Sequence, residues 1–110
     1  MNDHARDLLR AVLVKTENGT LDWEPIDPEA FWAKIGCNNL HLTRVSEGGA
    51  AVVYSVQITD RIGLPVTEIE EQQGTADFPL VDKLFQAVRA APSKSDRVIQ
   101  DMLRTLQASA

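Results

Sequence analysis

The chain has 110 residues, of which 44% are hydrophobic and 25% charged, with a formal net charge of −5. These proportions are typical of a folded globular protein, and the length suits one domain with a single core, which we expect to span residues 1–110. Acidic residues outnumber basic ones, and no dense Lys/Arg cluster is present. A phosphate backbone requires concentrated positive charge, so nucleic acid is excluded as an expected partner.

Neither a membrane span nor an exported protein is predicted. Apolar runs stay well short of the ~20 residues of a transmembrane helix, and Met1 to His4 lacks the basic start and apolar middle of a signal peptide. The single cysteine, Cys37, cannot form an internal disulfide or a cysteine-based zinc site. The sequence therefore predicts a cytoplasmic protein that does not associate with membranes.

The first predicted element is a helix from Asp3 to about Thr16, followed by a helix end at Asn18-Gly19. Its apolar residues recur at intervals of three and four, which places them on one stripe: Ala5, Leu8, Leu9, Val12 and Leu13. The next stretch, 21–24, alternates only briefly before Pro25 and Pro28. We predict a short edge segment within an extended connection there.

Four antiparallel strands are predicted next, because apolar and polar residues alternate with a period of two. Their expected bounds are Phe31–Ile35, Leu40–Val45, Ala50–Thr59 and Leu64–Glu71. The first of them is ambiguous, since Asp27-Pro28-Glu29 is also typical of a helix start. The alternation, and the turn residues that follow it, favour a strand.

The order of the strands along the chain predicts a meander with a turn over Ser46–Gly49. We expect the longest strand, which carries Val56, to be central. The strand that carries Glu68, Glu70 and Glu71 is expected at an edge, where charged, solvated side chains discourage pairing with another chain.

Two C-terminal helices complete the prediction. Pro79 suits the first turn of one helix, and Pro92 prevents its continuation. Ser93 and Asp96 have the spacing of a helix cap. The apolar stripe of the last helix follows and consists of Val98, Ile99, Met102, Leu103 and Leu106. The predicted fold class is α+β, with an N-terminal helix, a four-stranded antiparallel β-meander and two C-terminal helices packed against its apolar face.

Three helical stripes exceed what one face of a small sheet can cover, because helices pack about 10 Å apart and strands about 4.8 Å apart. We therefore expect the chain to be its own partner, as a homodimer. The stripe of the last helix is the predicted contact.

The pattern of turn and core residues resembles a loose group of short bacterial α+β domains of uncharacterised function. The likeness covers most of the chain and implies a strand at Phe31–Ile35 and a bacterial cytoplasmic setting. It brings no catalytic signature. The residues that carry it are Leu8-Leu9, Thr16, Gly19, Leu21, Trp23, Phe31-x-Ala33-x-Ile35, Leu40-x-Leu42-x-Arg44, Tyr54-x-Val56-x-Ile58, Asp60-x-x-Gly63 and Leu84.

No catalytic, cofactor or metal site is predicted. Cys37, with His41 four residues on, is the best nucleophile–base pair, but a hairpin turn separates them and no third group orients them. His4 and His41 with scattered carboxylates do not supply the four ligands of a structural zinc site. Gly48-Gly49 lacks the glycine spacing and the Lys-Ser/Thr ending of a P-loop.

A protein-binding surface is predicted on the sheet face opposite the core, where a large aromatic side chain accompanies polar groups. The alternative is that a helix covers this face. The leading functional hypothesis is a non-enzymatic interaction or accessory module. Two alternatives are an antitoxin-like or immunity-like inhibitor of a basic partner, and a small enzyme that uses Cys37 or His41. The predicted binding residues are Trp32, Lys34, His41, Thr43 and Val45.

Overall fold

The computed structural model describes residues 1–46 and 51–108, except for the side chain of Lys94. The chain forms an N-terminal helix, a five-stranded antiparallel sheet and two C-terminal helices. The elements in chain order are α1 (Asp3–Glu17), β1 (Trp23–Asp27), β2 (Ala30–Ile35), β3 (Asn38–Val45), β4 (Val53–Thr59), β5 (Pro65–Gln72), α2 (Phe78–Ala90) and α3 (Lys94–Ala108).

The sheet is a meander in which each strand pairs with the next in sequence, in the order β1-β2-β3-β4-β5. The α+β class and the strand at Phe31–Ile35 are therefore confirmed, whereas the prediction of four strands is wrong. The additional strand is β1, which lies in the stretch interpreted as a short edge segment within an extended connection and not counted as a strand of the meander. Pro25 pairs with Phe31 within it. Proline is tolerated because β1 is an edge strand, where a missing N–H donor leaves no ladder bond unmade.

The prediction that β4 lies inside the sheet is confirmed, since it pairs with β3 and β5, although β3 is the middle strand of the five. The edge position of β5 and the exposure of Glu68 and Glu70 are confirmed. The exposure of Glu71 is not: its side chain is buried, on the same face as Tyr54, and accepts a hydrogen bond from the hydroxyl of Thr75. Most of the turn predicted over Ser46–Gly49, and the predicted start of the following strand at Ala50, fall on residues 47–50, outside the described residues.

The core lies between one face of the sheet, here called the inner face, and the helices α1 and α2. Period-two alternation sends every second strand residue to the inner face, and the 3.6-residue period of each helix supplies a facing stripe. The buried residues are Trp23, Ala33, Leu40, Leu42, Tyr54 and Val56 from the sheet, and Leu9, Val12, Leu13, Val81, Leu84, Phe85 and Val88 from the helices.

Helices α1 and α2 lie side by side and run in the same direction. At their N-terminal ends, Arg6 donates hydrogen bonds to the carboxylate of Asp77 at 2.9 and 3.1 Å. This ion pair holds the pKa of Asp77 below its ordinary value, chiefly because the guanidinium hydrogen-bonds the charged form. At the C-terminal end of α1, Trp23 donates from its indole nitrogen to Thr16, which fixes α1 over β1.

Helix α3 does not pack on the sheet, which corrects the prediction that both C-terminal helices lie against its apolar face. Extended backbone at Ala91, followed by Pro92, ends α2, and the chain bends before α3 begins. Ser93 accepts a hydrogen bond from the N–H of Asp96 at 3.1 Å, so the predicted cap is present. The molecule measures 54 × 33 × 23 Å, and a helix of α3's length contributes about 22 Å to its long dimension.

The only tyrosine of the chain, Tyr54, is buried under α2. Its hydroxyl donates to the carboxylate of Asp82 at 2.5 Å. Burial disfavours the phenolate, and the bond to Asp82 favours the neutral hydroxyl, so together they raise the pKa of Tyr54 to about 12.

We expect the absorbance of tyrosinate to titrate with a midpoint near pH 12 in the folded protein. In denaturant the midpoint should return to about 10, the value of a free tyrosine. Because the folded-state pKa is the higher one, the stabilisation is complete below about pH 10 and is lost as the pH rises through the folded value. Equal midpoints with and without denaturant would show that Tyr54 is not held by Asp82 in a buried setting.

Candidate functional site

The face of the sheet opposite the core, here called the outer face, is not covered by α1 or α2. Side chains from all five strands meet on it in cross-strand rows. One complete row runs from β1 to β5 through Glu24, Trp32, His41, Gln57 and Glu68. Direct cross-strand neighbours on one face have Cβ atoms about 5 Å apart, so the row is continuous.

The structure places all five predicted binding residues on the outer face, but in separate positions. Trp32 and His41 are direct neighbours, and Thr43 lies beside Ser55 in the next row. Lys34, opposite Asn39, lies toward one end of the sheet, and Val45, opposite Val53, lies at the other. Trp32, His41 and Thr43 are half-buried, while Lys34 and Val45 are exposed.

Acidic residues border the outer face on both edge strands. Glu24 is on β1, and Glu68 and Glu70 are on β5. Glu68 accepts a hydrogen bond from the hydroxyl of Ser55 at 2.9 Å, which orders it against the neighbouring strand. The partly accessible Trp32 ring therefore lies in a row that ends in a carboxylate on each side.

A second exposed surface is the apolar stripe of α3, here defined as Val98, Ile99, Met102 and Leu103. These side chains are between 49% and 61% exposed, and Leu106 one turn further is also exposed. Such contiguous apolar exposure is unusual for a monomer, in which helical stripes of this width face the core. The stripe predicted from the sequence is therefore present, and the rest of the described chain leaves it about half exposed.

Arg97 determines which way the stripe faces. Its guanidinium forms an ion pair with Asp22, just before β1, and lines a groove with the last turns of α1 and α2. Carbonyl groups at helix C-termini carry partial negative charge, so a cation is favoured there. With about 3.6 residues per turn, Arg97 lies on the side of α3 opposite the stripe. Helix α3 thus turns its polar side toward the body and its apolar side away from it.

The structure places Cys37 and His41, the two residues of the enzyme hypothesis, in different settings. Cys37 is exposed in the β2–β3 turn, and His41 is on the outer face of β3. In the described part of the chain, neither side chain is hydrogen-bonded to the other or to a carboxylate. Among the same residues, no group of three or more His, Cys, Asp or Glu side chains is placed to hold a metal ion.

No protein-family model, curated protein sequence or solved structure matches the chain. Within residues 1–46 and 51–108, no helix is both long and apolar enough to cross a lipid bilayer.

Sequence reasoning located both surfaces but missed the Arg97–Asp22 pair that orients one of them. The two residues are 75 positions apart. One sequence signal was available: Arg97 is a cation in the first turn of α3, where the helix dipole disfavours positive charge. A residue placed against local preference in this way indicates a partner elsewhere in the chain.

Proposed function

We propose that this protein is a homodimeric interaction module, which self-associates through the α3 stripe and presents the outer face of its sheet to another protein. The observation that carries the proposal is the exposure of a complete apolar stripe that faces away from the protein's own core. Within residues 1–46 and 51–108, α3 meets the body through Arg97 on its polar side, by the ion pair with Asp22 and in the groove at the ends of α1 and α2.

The extent of exposed surface supports self-association. A compact monomer of 12.1 kDa exposes about 6,000 Å², whereas this chain exposes 7080 Å². The difference, about 1,000 Å², is close to the roughly 800 Å² that each partner contributes to a stable interface. The radius of gyration of 15.7 Å also exceeds the value of about 13 Å expected for a compact domain of this length.

The energy of the stripe can be set against the cost of association. Burial of a half-exposed aliphatic side chain contributes about 1 kcal/mol, so the four residues in two copies contribute about 8 kcal/mol in total. Association costs about 4–15 kcal/mol in lost translational and rotational freedom. The stripe alone therefore brings the dimer near balance, and further apolar surface on the receiving copy would make it stable.

The outer face is the surface that remains available for a different protein. A large aromatic side chain next to polar neighbours is typical of the anchoring residues of interfaces. The carboxylates of Glu24, Glu68 and Glu70 favour a basic partner, because complementary charge speeds encounter and excludes acidic competitors. A basic partner of the outer face would make the protein an inhibitor-like module, with Trp32 as the main contact residue.

We expect Leu103→Gln to weaken self-association roughly thirtyfold, since two copies each lose about 1 kcal/mol of apolar burial. Glutamine is a good helix former, so α3 itself should persist. Sedimentation velocity over a micromolar concentration series would give the dissociation constants of the natural chain and the variant.

Two control variants keep this test specific. Arg104→Gln introduces the same side chain on the polar side of α3, and Trp32→Ala alters the outer face. Both should dimerise like the natural chain. A strictly monomeric mass for the natural chain across the series would contradict the proposal, and loss of the dimer in Trp32→Ala would move the contact to the outer face.

A further inference from the structure

We infer that the groove along α1 is the docking site for the α3 stripe of a second copy, so that two chains exchange their last helices. The inference rests on the proposed self-association and names the surface that receives α3. The alternative, in which the two α3 helices pair only with each other, is an outcome of the test below.

The groove lies on the side of α1 that faces away from α2, and two adjoining cavities of about 230 and 160 Å³ form it. Its floor is the end of the inner face of the sheet, where Ile35, Leu40 and Ile58 come from three neighbouring strands. Leu8 of α1 lines both cavities and forms the wall. Ile35, Ile58 and Leu8 are only half-buried, so the apolar surface of the core continues into this groove uncovered.

The dimensions of the groove and the stripe agree. Three neighbouring strands about 4.8 Å apart give a floor about 10 Å long, and the stripe from Val98 to Leu103 is about 8 Å long at 1.5 Å per residue. The cavity end formed by Asn38 and Asn39 supplies amide groups where the polar flank of a docked helix would lie. A helix seated there would be the third on the inner face, beside α1, in a place that α1 and α2 leave open.

The protein's own α3 is not positioned to fill this groove. The first turn of α3 lies near one end of the groove, because Arg97 is paired with Asp22, the neighbour of Leu21 in the groove lining. That pair turns the stripe away from the body, so docking within one chain would break it. A second copy does not have this constraint.

Exchange between two copies is symmetric, because each chain offers one stripe and one groove. Closed twofold arrangements of this kind are the commonest in soluble oligomers. The half-buried groove residues would add apolar area to that of the stripe at the contact. Arg97 can keep its ion pair with Asp22 throughout, since it lies on the opposite side of α3.

Cross-linking of the full chain tests this arrangement. Cys37 is the only native thiol, is exposed, and lies in the β2–β3 turn between Ile35 and Asn38 at the end of the groove. Met102→Cys places a second thiol in the stripe. We expect a short bismaleimide reagent to link Cys37 of one chain to position 102 of the other, identified as a joined peptide pair by mass spectrometry. Mixing isotope-labelled and unlabelled chains would show that the link is between copies.

A link between two copies of position 102, in a protein that sediments as a dimer, would overturn the docking in the groove and leave the proposed self-association standing. A link within one chain, or a monomer at micromolar concentration, would overturn both.

A further variant, Ala11→Glu, changes an exposed residue in the groove wall. It should weaken self-association at least about tenfold, because a carboxylate would enter an apolar contact, whereas Val14→Glu, exposed on the same helix outside the groove, should not.

Discussion

Val56→Asp is expected to abolish folding. Val56 is 1% exposed on the inner face of β4, with Leu42 and Ile69 opposite it on the neighbouring strands. A carboxylate in such a setting is either charged and unsolvated or neutralised by a pKa shift of three or more units, which costs at least about 4 kcal/mol. The lost valine adds about 1.5 kcal/mol. The sum reaches the total stability of many small domains, about 5–15 kcal/mol.

The matched control for this variant is Val66→Asp on the edge strand β5. Val66 is 63% exposed, so the same change should alter stability little. Circular dichroism and urea denaturation of both variants give the comparison. A folded Val56→Asp protein with native stability would mean that the inner face is not the core, and equal losses in both variants would contradict the assignment of β5 as an exposed edge.

The second large effect is expected from Phe85→Ala. The ring of Phe85 is completely buried, 5.3 Å from Tyr54 and 5.7 Å from Phe31 between ring centroids, with the guanidinium of Arg89 over its face. It joins α2 to both β2 and β4. Truncation of a buried phenylalanine costs about 3–5 kcal/mol because a cavity remains, which corresponds to a fall in melting temperature of roughly 20 °C for a domain of this size.

Phe78→Ala provides a graded comparison for this second prediction. Phe78 contacts Tyr54 at 5.2 Å but is only partly buried at the start of α2. Less apolar area is lost there, so the fall in melting temperature should be clearly smaller. A larger fall in melting temperature for Phe78→Ala than for Phe85→Ala would contradict the assignment of Phe85 to the centre of the core.

Strands β2, β3 and β4 and the two faces of the sheet could be predicted because the alternation of apolar residues is itself the physical cause of a half-buried strand. For the same reason, Trp32, His41 and Thr43 could be placed on the outer face, because each alternates with core residues along its strand. The alternation does not identify an interaction partner, since it is the same for a face that contacts a helix, a second protein or water.

Strand β1 was predicted only as a short edge segment, and not as a fifth strand, because the evidence for it is not local. The segment from Trp23 contains Pro25 and has only one clear alternation, and such a segment forms a strand only because β2 offers an unpaired edge beside it. Trp23 contributes further, since its buried indole is bound by Thr16 of α1. Tertiary contacts of this kind override the weak propensity of the segment itself.

The stripe of α3 could be predicted from its period, but the direction in which it faces could not. That direction depends on Arg97 and Asp22, whose approach is a product of the whole fold. The groove along α1 was likewise invisible, although one signal existed: Leu8, Ile35 and Ile58 give the helix and strands more apolar positions than α1 and α2 together cover. The excess of apolar positions over those that the helices can cover could thus be counted from the sequence, whereas the location of the uncovered surface could not.

The neighbour-to-neighbour order of the sheet has a consequence for how the chain folds. Every strand pairs with the next one in sequence, so each hairpin closes a short loop and can form early at little entropic cost. Helix α1 is different, because its N-terminal partner Asp77 lies 71 residues away from Arg6. During synthesis, α1 leaves the ribosome before the strands and before its partner helix α2. Its apolar stripe must therefore remain without its final cover until α2 emerges, which makes the nascent chain, rather than the finished domain, the form most exposed to aggregation.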